Sequence, residues 1–136
     1  MKELQVEAVL SEQDKVQDFI RGELERFDVP PKTLFQIELA VEEIFTNIAS
    51  YAYNPEIGKA TVGCSVEQDP LRVTIQFLDS GKPFDPLARD KADTSEDAIM
   101  ERTGGLGIFL VRENMDDVKY TYENGKNILT ISKTLE

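Results

Sequence analysis

Apolar positions recur along this chain with two different periods. Val16, Phe19, Ile20 and Leu24 stand at helical spacing and predict a helix over residues 12–27, with Ser11 as its N-cap. Asp28-Val29-Pro30-Pro31 breaks that pattern, and the prolines, tolerated at a helix start, lead into a second helix over residues 30–53. There Ile37, Val41, Ile44, Phe45, Ile48 and Ala52 fall on one broad stripe at about 100° per residue, until Asn54-Pro55 and Gly58 stop it. Elsewhere the period is two. Residues 2–10 alternate through Leu4, Val6 and Ala8 and read as an edge strand. Residues 60–67 and 71–78 alternate through Val62, Cys64, Val66 and Leu71, Val73, Ile75, Phe77, joined by Gln68-Asp69-Pro70 as a hairpin. Residues 118–122 and 127–134 pair across Glu123-Asn124-Gly125-Lys126, where Asn-Gly is the turn signal.

Between these hairpins the character changes. Residues 79–86 are turn chemistry throughout, and residues 87–102 are polar, with at most a short helical stretch around 96–100. A connection of this length in a compact domain is usually a functional lid or disordered. Gly104-Gly105-Leu106-Gly107 then opens a helix through Phe109, Leu110 and Met115, ended by Asp116-Asp117. The order β α α β β lid α β β predicts an α+β two-layer sandwich, with helices on one face of a mostly antiparallel sheet.

At 136 residues the chain is read as one domain, large enough for a core without metal or disulfide staples. Its 40% hydrophobic and 30% charged content is that of a soluble globular protein, without an export signal or a membrane span, and the expected location is the cytoplasm. Cys64, the one cysteine, lies in an alternating apolar stretch and reads as a buried strand residue. With 15 Lys+Arg against 26 Asp+Glu the formal charge is −11, which disfavours nucleic acid and suits a basic protein partner. An anionic ligand would need a local device, such as a helix N-terminus or a cation. The absence of histidine removes the commonest general base and zinc ligand.

Three polar stretches interrupt the apolar pattern. Glu43 and Asn47, four residues apart, stack on the non-core side of the second helix. Taken alone, such a pair is a solvated face. Asp79-Ser80-Gly81 ends an apolar strand, where a carboxylate beside a glycine either caps a turn or accepts from a ligand held near the backbone. Gly104-Gly105-Leu106-Gly107 before a helix offers bare N–H groups to phosphate, or makes a tight turn with close packing. It is not a P-loop, because the spacing and the lysine are missing.

In order and spacing, Glu43-x-x-x-Asn47, Asp79-x-Gly81-x-Pro83 and Gly104-Gly105-Leu106-Gly107 resemble the N, G1 and G2 boxes of the GHKL (Bergerat-fold) ATP-binding superfamily. Phe84-Asp85-Pro86, and Phe109-Leu110-Val111-Arg112 with Met115-Asp116, resemble its anti-sigma-factor serine/threonine kinase branch. The resemblance covers residues 28–133. It implies a Bergerat-type sandwich with an ATP lid, here residues 88–101, and ATP and Mg²⁺ as cofactors. Asn47 would hold Mg²⁺, and Glu43 would orient or deprotonate the attacking hydroxyl. Asp79 would accept from the adenine amino group, with Gly81 letting the base approach. Gly105 and Gly107 would bind phosphate through their backbone, within a nucleotide-binding run that includes Gly104 and Leu106, with Arg102 and Thr103 near the terminal phosphates and Thr46 beside the metal-binding Asn. Mg²⁺ prefers few protein oxygens plus phosphates, and phosphoryl transfer asks the protein mainly to position groups and neutralise charge.

Two positions depart from the pattern. Lys126-Asn127, with Thr130 farther on, stands where many members place Gly-Thr before the last strand, and Tyr51 stands where some carry His. The resemblance implies a kinase that binds a sigma factor and phosphorylates a serine on a STAS-domain antagonist, and such relatives often form homodimers. The alternative is a module that binds ATP and presents a nucleotide-dependent surface without transferring phosphate. A histidine kinase domain acting in trans is a third reading. Glu43 favours the first, because a pure binder needs no carboxylate there.

Overall fold

The computed structural model describes residues 1–53, 56–85 and 103–135. Strand β1 (Lys2–Glu7) is followed by a 3₁₀ turn (Leu10–Glu12) and helix α1 (Gln13–Leu24). Helix α2 (Pro31–Asn47) passes into a π-helical turn (Ile48–Ala52), after which β2 (Lys59–Glu67) and β3 (Arg72–Asp79) form a hairpin. Helix α3 (Thr103–Asn114) and the hairpin β4 (Asp117–Glu123) and β5 (Lys126–Thr134) complete the chain. The five strands lie in the order β1-β2-β3-β5-β4, and every pairing is antiparallel.

β3 is the middle strand, where Ile75 faces Cys64 on one side and Ile131 on the other. Alternation puts Val73, Ile75 and Phe77 on the same face as Val62 and Ile131, all buried. Helix residues Ile20, Ile37, Val41, Ile44, Phe45, Ile108 and Val111 join them in one core. The opposite face carries half-exposed Thr61, Thr74, Gln76 and Thr130. The α+β sandwich predicted from the alternating periods is therefore the observed architecture.

Pro31 occupies the first turn of α2, where its missing N–H costs nothing. α1 is fastened to α2 through side chains that reach main-chain acceptors: Gln17 Nε2 donates to the Glu38 carbonyl at 2.9 Å, and Gln13 Nε2 to the Glu42 carbonyl at 3.3 Å. Arg21 adds an ion pair to Glu38 at 3.1 Å. The predicted Ser11 cap is not formed. Ser11 lies inside the 3₁₀ turn, so α1 starts after Glu12, whose own backbone is already helical (φ −91°, ψ 0°) and which makes no side-chain cap. In the last hairpin Asn124 and Gly125 both take positive φ, 53° and 76°, as the predicted Asn-Gly turn requires. The predicted short helix at 96–100 and the lid at 88–101 lie outside the described residues.

The second helix differs from its sequence reading at its end. Residues 48–52 keep helical spacing of apolar positions but form a π turn, so α2 proper stops at Asn47. The hydrophobic stripe does not distinguish the two windings, because Ile48 still packs against the core.

Candidate functional site

A cavity of about 270 Å³ opens between the end of α2, the end of β3, α3 and the β4–β5 hairpin. Ile44, Asn47, Ile48 and Tyr51, spaced by three and four residues, form the stripe of α2 and its π turn that lines it. Phe77, Ile108 and Leu129 supply an apolar floor, and Asp79, Lys82, Tyr120 and Asn127 supply polar groups. Mostly apolar walls with a few convergent polar groups are what a small-molecule site requires.

Asp79 ends β3 facing inward and is 7% exposed. Its Oδ1 accepts from the Gly81 N–H at 2.9 Å and from Asn127 Nδ2 at 2.9 Å. Asn127 Nδ2 also donates to the Lys82 carbonyl at 2.8 Å. Asn127 Oδ1 accepts from the Phe84 N–H at 3.1 Å and, in a short bond, from the Tyr120 hydroxyl. Burial pushes the Tyr120 phenol above its usual range, opposed by the Phe84 backbone bond and assisted by Asp85 and Asp79, so it stays a donor. Asn127 was identifiable in the sequence only as a departure from the Gly-Thr pattern. Its signal was register: a polar residue on the same face as Leu129 and Ile131. Tyr120 carried no such signal.

The turn after Asp79 is pressed against the end of α2. A Cβ on Gly81 would lie 2.2 Å from the Ala52 carbonyl oxygen, and the Lys82 N–H donates to that same oxygen at 3.1 Å. The missing side chain of Gly81 is thus required by Ala52, and the π turn is what delivers that carbonyl. Tyr53 pins the turn from its other side, its hydroxyl donating to the Lys59 carbonyl at 2.6 Å and accepting from the Ser80 N–H at 2.7 Å.

Of the other expected site residues, Glu43 sits one turn before Asn47, half-buried and outside the cavity lining. Burial first, and Glu42 second, raise its carboxyl above the ordinary glutamate range. Thr46 turns toward α1, where its Oγ1 accepts from Gln13 Nε2 at 3.2 Å. Thr103, Gly104, Gly105 and Leu106 form the first turn of α3, which begins one residue before the glycines and leaves its N–H groups without intrahelical partners. Gly107 precedes Ile108, whose side chain lines the cavity. Arg102 lies outside the described residues.

The profile of the family described as "Histidine kinase-like ATPase domain" matches residues 6–133. The chain is 38% identical over 98 residues to the serine-protein kinase RsbW of Listeria monocytogenes, an alignment covering 68% of this chain and 61% of that protein. It is 31% identical over 116 residues to RsbW of Oceanobacillus iheyensis, covering 81% of this chain and 72% of the relative. The chain thus spans less than two thirds of the length of the Listeria relative. In fold it is similar to the RsbU and RsbW domains of a Mycobacterium tuberculosis protein, with a TM-score of 0.66 at 15% identity over 99% of this chain and 33% of that one. A blue-light activated histidine kinase of Erythrobacter litoralis gives 0.62 at 18% identity, over 92% of this chain and 41% of that one. An antiparallel sheet covered on one face, a cavity shared by Asn47 and Asp79, and a profile match over nearly the whole chain lead to one conclusion: this protein belongs to the histidine kinase-like ATPase domain family.

Proposed function

We propose that this chain is an ATP-dependent serine/threonine protein kinase acting in the cytoplasm as an anti-sigma factor, with a STAS-domain antagonist as its phosphoryl acceptor and a sigma factor as its alternate partner. The observation that carries the reading is that Asn47 and Asp79, from different elements, line one cavity together with Ile108 of α3. Relatives named serine-protein kinase RsbW support the activity, and a formal charge of −11 suits a basic sigma-factor segment.

The residues fit a magnesium nucleotide. The bonds to Asp79 among the described residues converge on Oδ1, leaving Oδ2 as an acceptor for an adenine amino group. The Asn47 amide oxygen is a hard donor of the kind Mg²⁺ takes when phosphates and water supply the rest. The helix N-terminus at Thr103, with Gly104, Gly105 and Gly107, suits phosphate in a net-acidic molecule. When bound, Mg²⁺ would neutralise charge on the transferring phosphoryl group. Glu43 would orient the attacking hydroxyl or take its proton, and Arg102, just before α3, would balance charge at the terminal phosphate.

The test is incubation of the protein with labelled ATP, Mg²⁺ and a STAS-domain protein. Acid-stable serine phosphate on the partner is expected. Nucleotide binding without transfer would leave only a nucleotide-dependent interaction module, and label on a partner histidine would mark a histidine kinase instead. Asn47→Ala is expected to abolish Mg-dependent ATP binding with the fold intact by circular dichroism; unchanged affinity in a titration removes Asn47 from the site.

A further inference from the structure

Asn127 stands in the pair that replaces the Gly-Thr of many family members, and its amide has only one workable orientation. Oδ1 accepts from both the Phe84 N–H and the Tyr120 hydroxyl. A flipped amide would set its NH₂ group against the Phe84 N–H donor and orphan the Asp79 contact. The NH₂ group must therefore face Asp79 Oδ1 and the Lys82 carbonyl, and both of its protons are used there. The Tyr120 proton is used as well, on Asn127 Oδ1. Asp79 Oδ1, already accepting from Gly81, is saturated in turn.

From this closed network we infer that Asn127 and Tyr120 are positioning residues that hold Asp79 with Oδ2 as the one acceptor left for a ligand, and so set the preference of the cavity for a purine carrying an amino group at C6. The inference rests on the nucleotide-binding reading above and deepens it. The amino group of a 6-aminopurine is a donor and pairs with Oδ2. A 6-oxo purine presents a carbonyl oxygen instead, and neither Asn127 nor Tyr120 retains a proton to offer it, so two acceptors would face each other. Without the Asn127 amide, Asp79 keeps only the Gly81 N–H and loses the bond that sets its carboxylate plane. The same amide also holds the Lys82 and Phe84 backbone beside the cavity.

The experiment compares ATP with purine riboside triphosphate, which lacks only the amino group, and with GTP, by competitive titration in Mg²⁺ on the wild-type protein, Asn127→Leu and Tyr120→Phe. Wild type is expected to favour ATP over the desamino analogue by on the order of 10- to 100-fold, the effect of one hydrogen bond to a charged acceptor. In Asn127→Leu that ratio should fall to within about threefold, ATP losing more affinity than the desamino analogue, and in Tyr120→Phe the ratio should fall part of the way. A purely structural role would weaken all nucleotides together and leave the ratio alone. A wild-type ratio in a folded Asn127→Leu protein overturns the inference. Should that variant fail to fold, an unchanged ratio in Tyr120→Phe, which loses one oxygen, overturns it equally. A wild-type protein that binds none of the nucleotides would sink the nucleotide reading itself, and the inference with it.

Discussion

Glu43 is a carboxylate whose surroundings resist its charge. It is partly buried beside Glu42, and among the described residues no hydrogen bond or ion pair compensates it, so its carboxyl is raised above the ordinary range. A base of this kind becomes ionised only as pH climbs through the raised value. Phosphoryl transfer should therefore increase with pH across a window above that of an ordinary glutamate, and then level off. Glu43→Gln is expected to keep ATP binding, to lower transfer by on the order of 10²- to 10⁴-fold, and to flatten that limb. If the limb survives in the variant, some other group is the base. At this scale Asn47 and Asp79, which line the cavity, were legible in the sequence because each is a polar residue interrupting an apolar pattern, whereas Glu43, legible in the same way, stands outside that lining. The sequence exposed Asn127 only as a misfit and Tyr120 not at all, because their contact comes from a pairing in which Tyr120 faces Leu129, two residues beyond Asn127, across a turn. That contact is a tertiary fact: local alternation marks Asn127 as a polar residue on an apolar face but gives no partner for it.

At the scale of elements, the junction of the π turn with the residues after β3 decides the shape of the cavity. The carbonyl of Ala52 leaves the helix, receives the Lys82 N–H, and lies where a Gly81 methyl would have to be. Gly81→Ala should push this turn outward. The expected result is a loss of about 1–3 kcal/mol in unfolding free energy, the usual cost of forcing an extra carbon into packed surroundings, together with nucleotide binding weakened at least several-fold. Chemical denaturation and a binding titration check the two halves separately. Element type and order were legible throughout the described residues, since periods of two and of three to four residues are set by burial on one face. The π winding was hidden because it preserves that burial, and the 3₁₀ turn displaced the Ser11 cap because tertiary placement of α1 overrode a local preference.

For the whole molecule, one core ties the sheet to the helices, and Cys64 reports on its integrity. The thiol is 1% exposed and burial pushes its pKa up to about 12, so at neutral pH it is neither ionised nor reachable. An exposed-thiol reagent should leave the native protein unlabelled and modify it stoichiometrically in denaturant; rapid labelling under native conditions would contradict the packing of β2 against α1 and β1. The overall architecture followed from the order of elements, whereas the family followed from three short motifs, two of which the folded chain gathers, through Asn47 and Asp79, at one cavity. That gathering has a thermodynamic corollary. The peptide of Ala52 closes the helix that bears Asn47 and also seats the turn that bears Asp79, so tightening either end must steady the other. Adenosine and inorganic triphosphate with Mg²⁺, added as separate fragments, should each lower the other's dissociation constant, and by reciprocity the two factors must be equal.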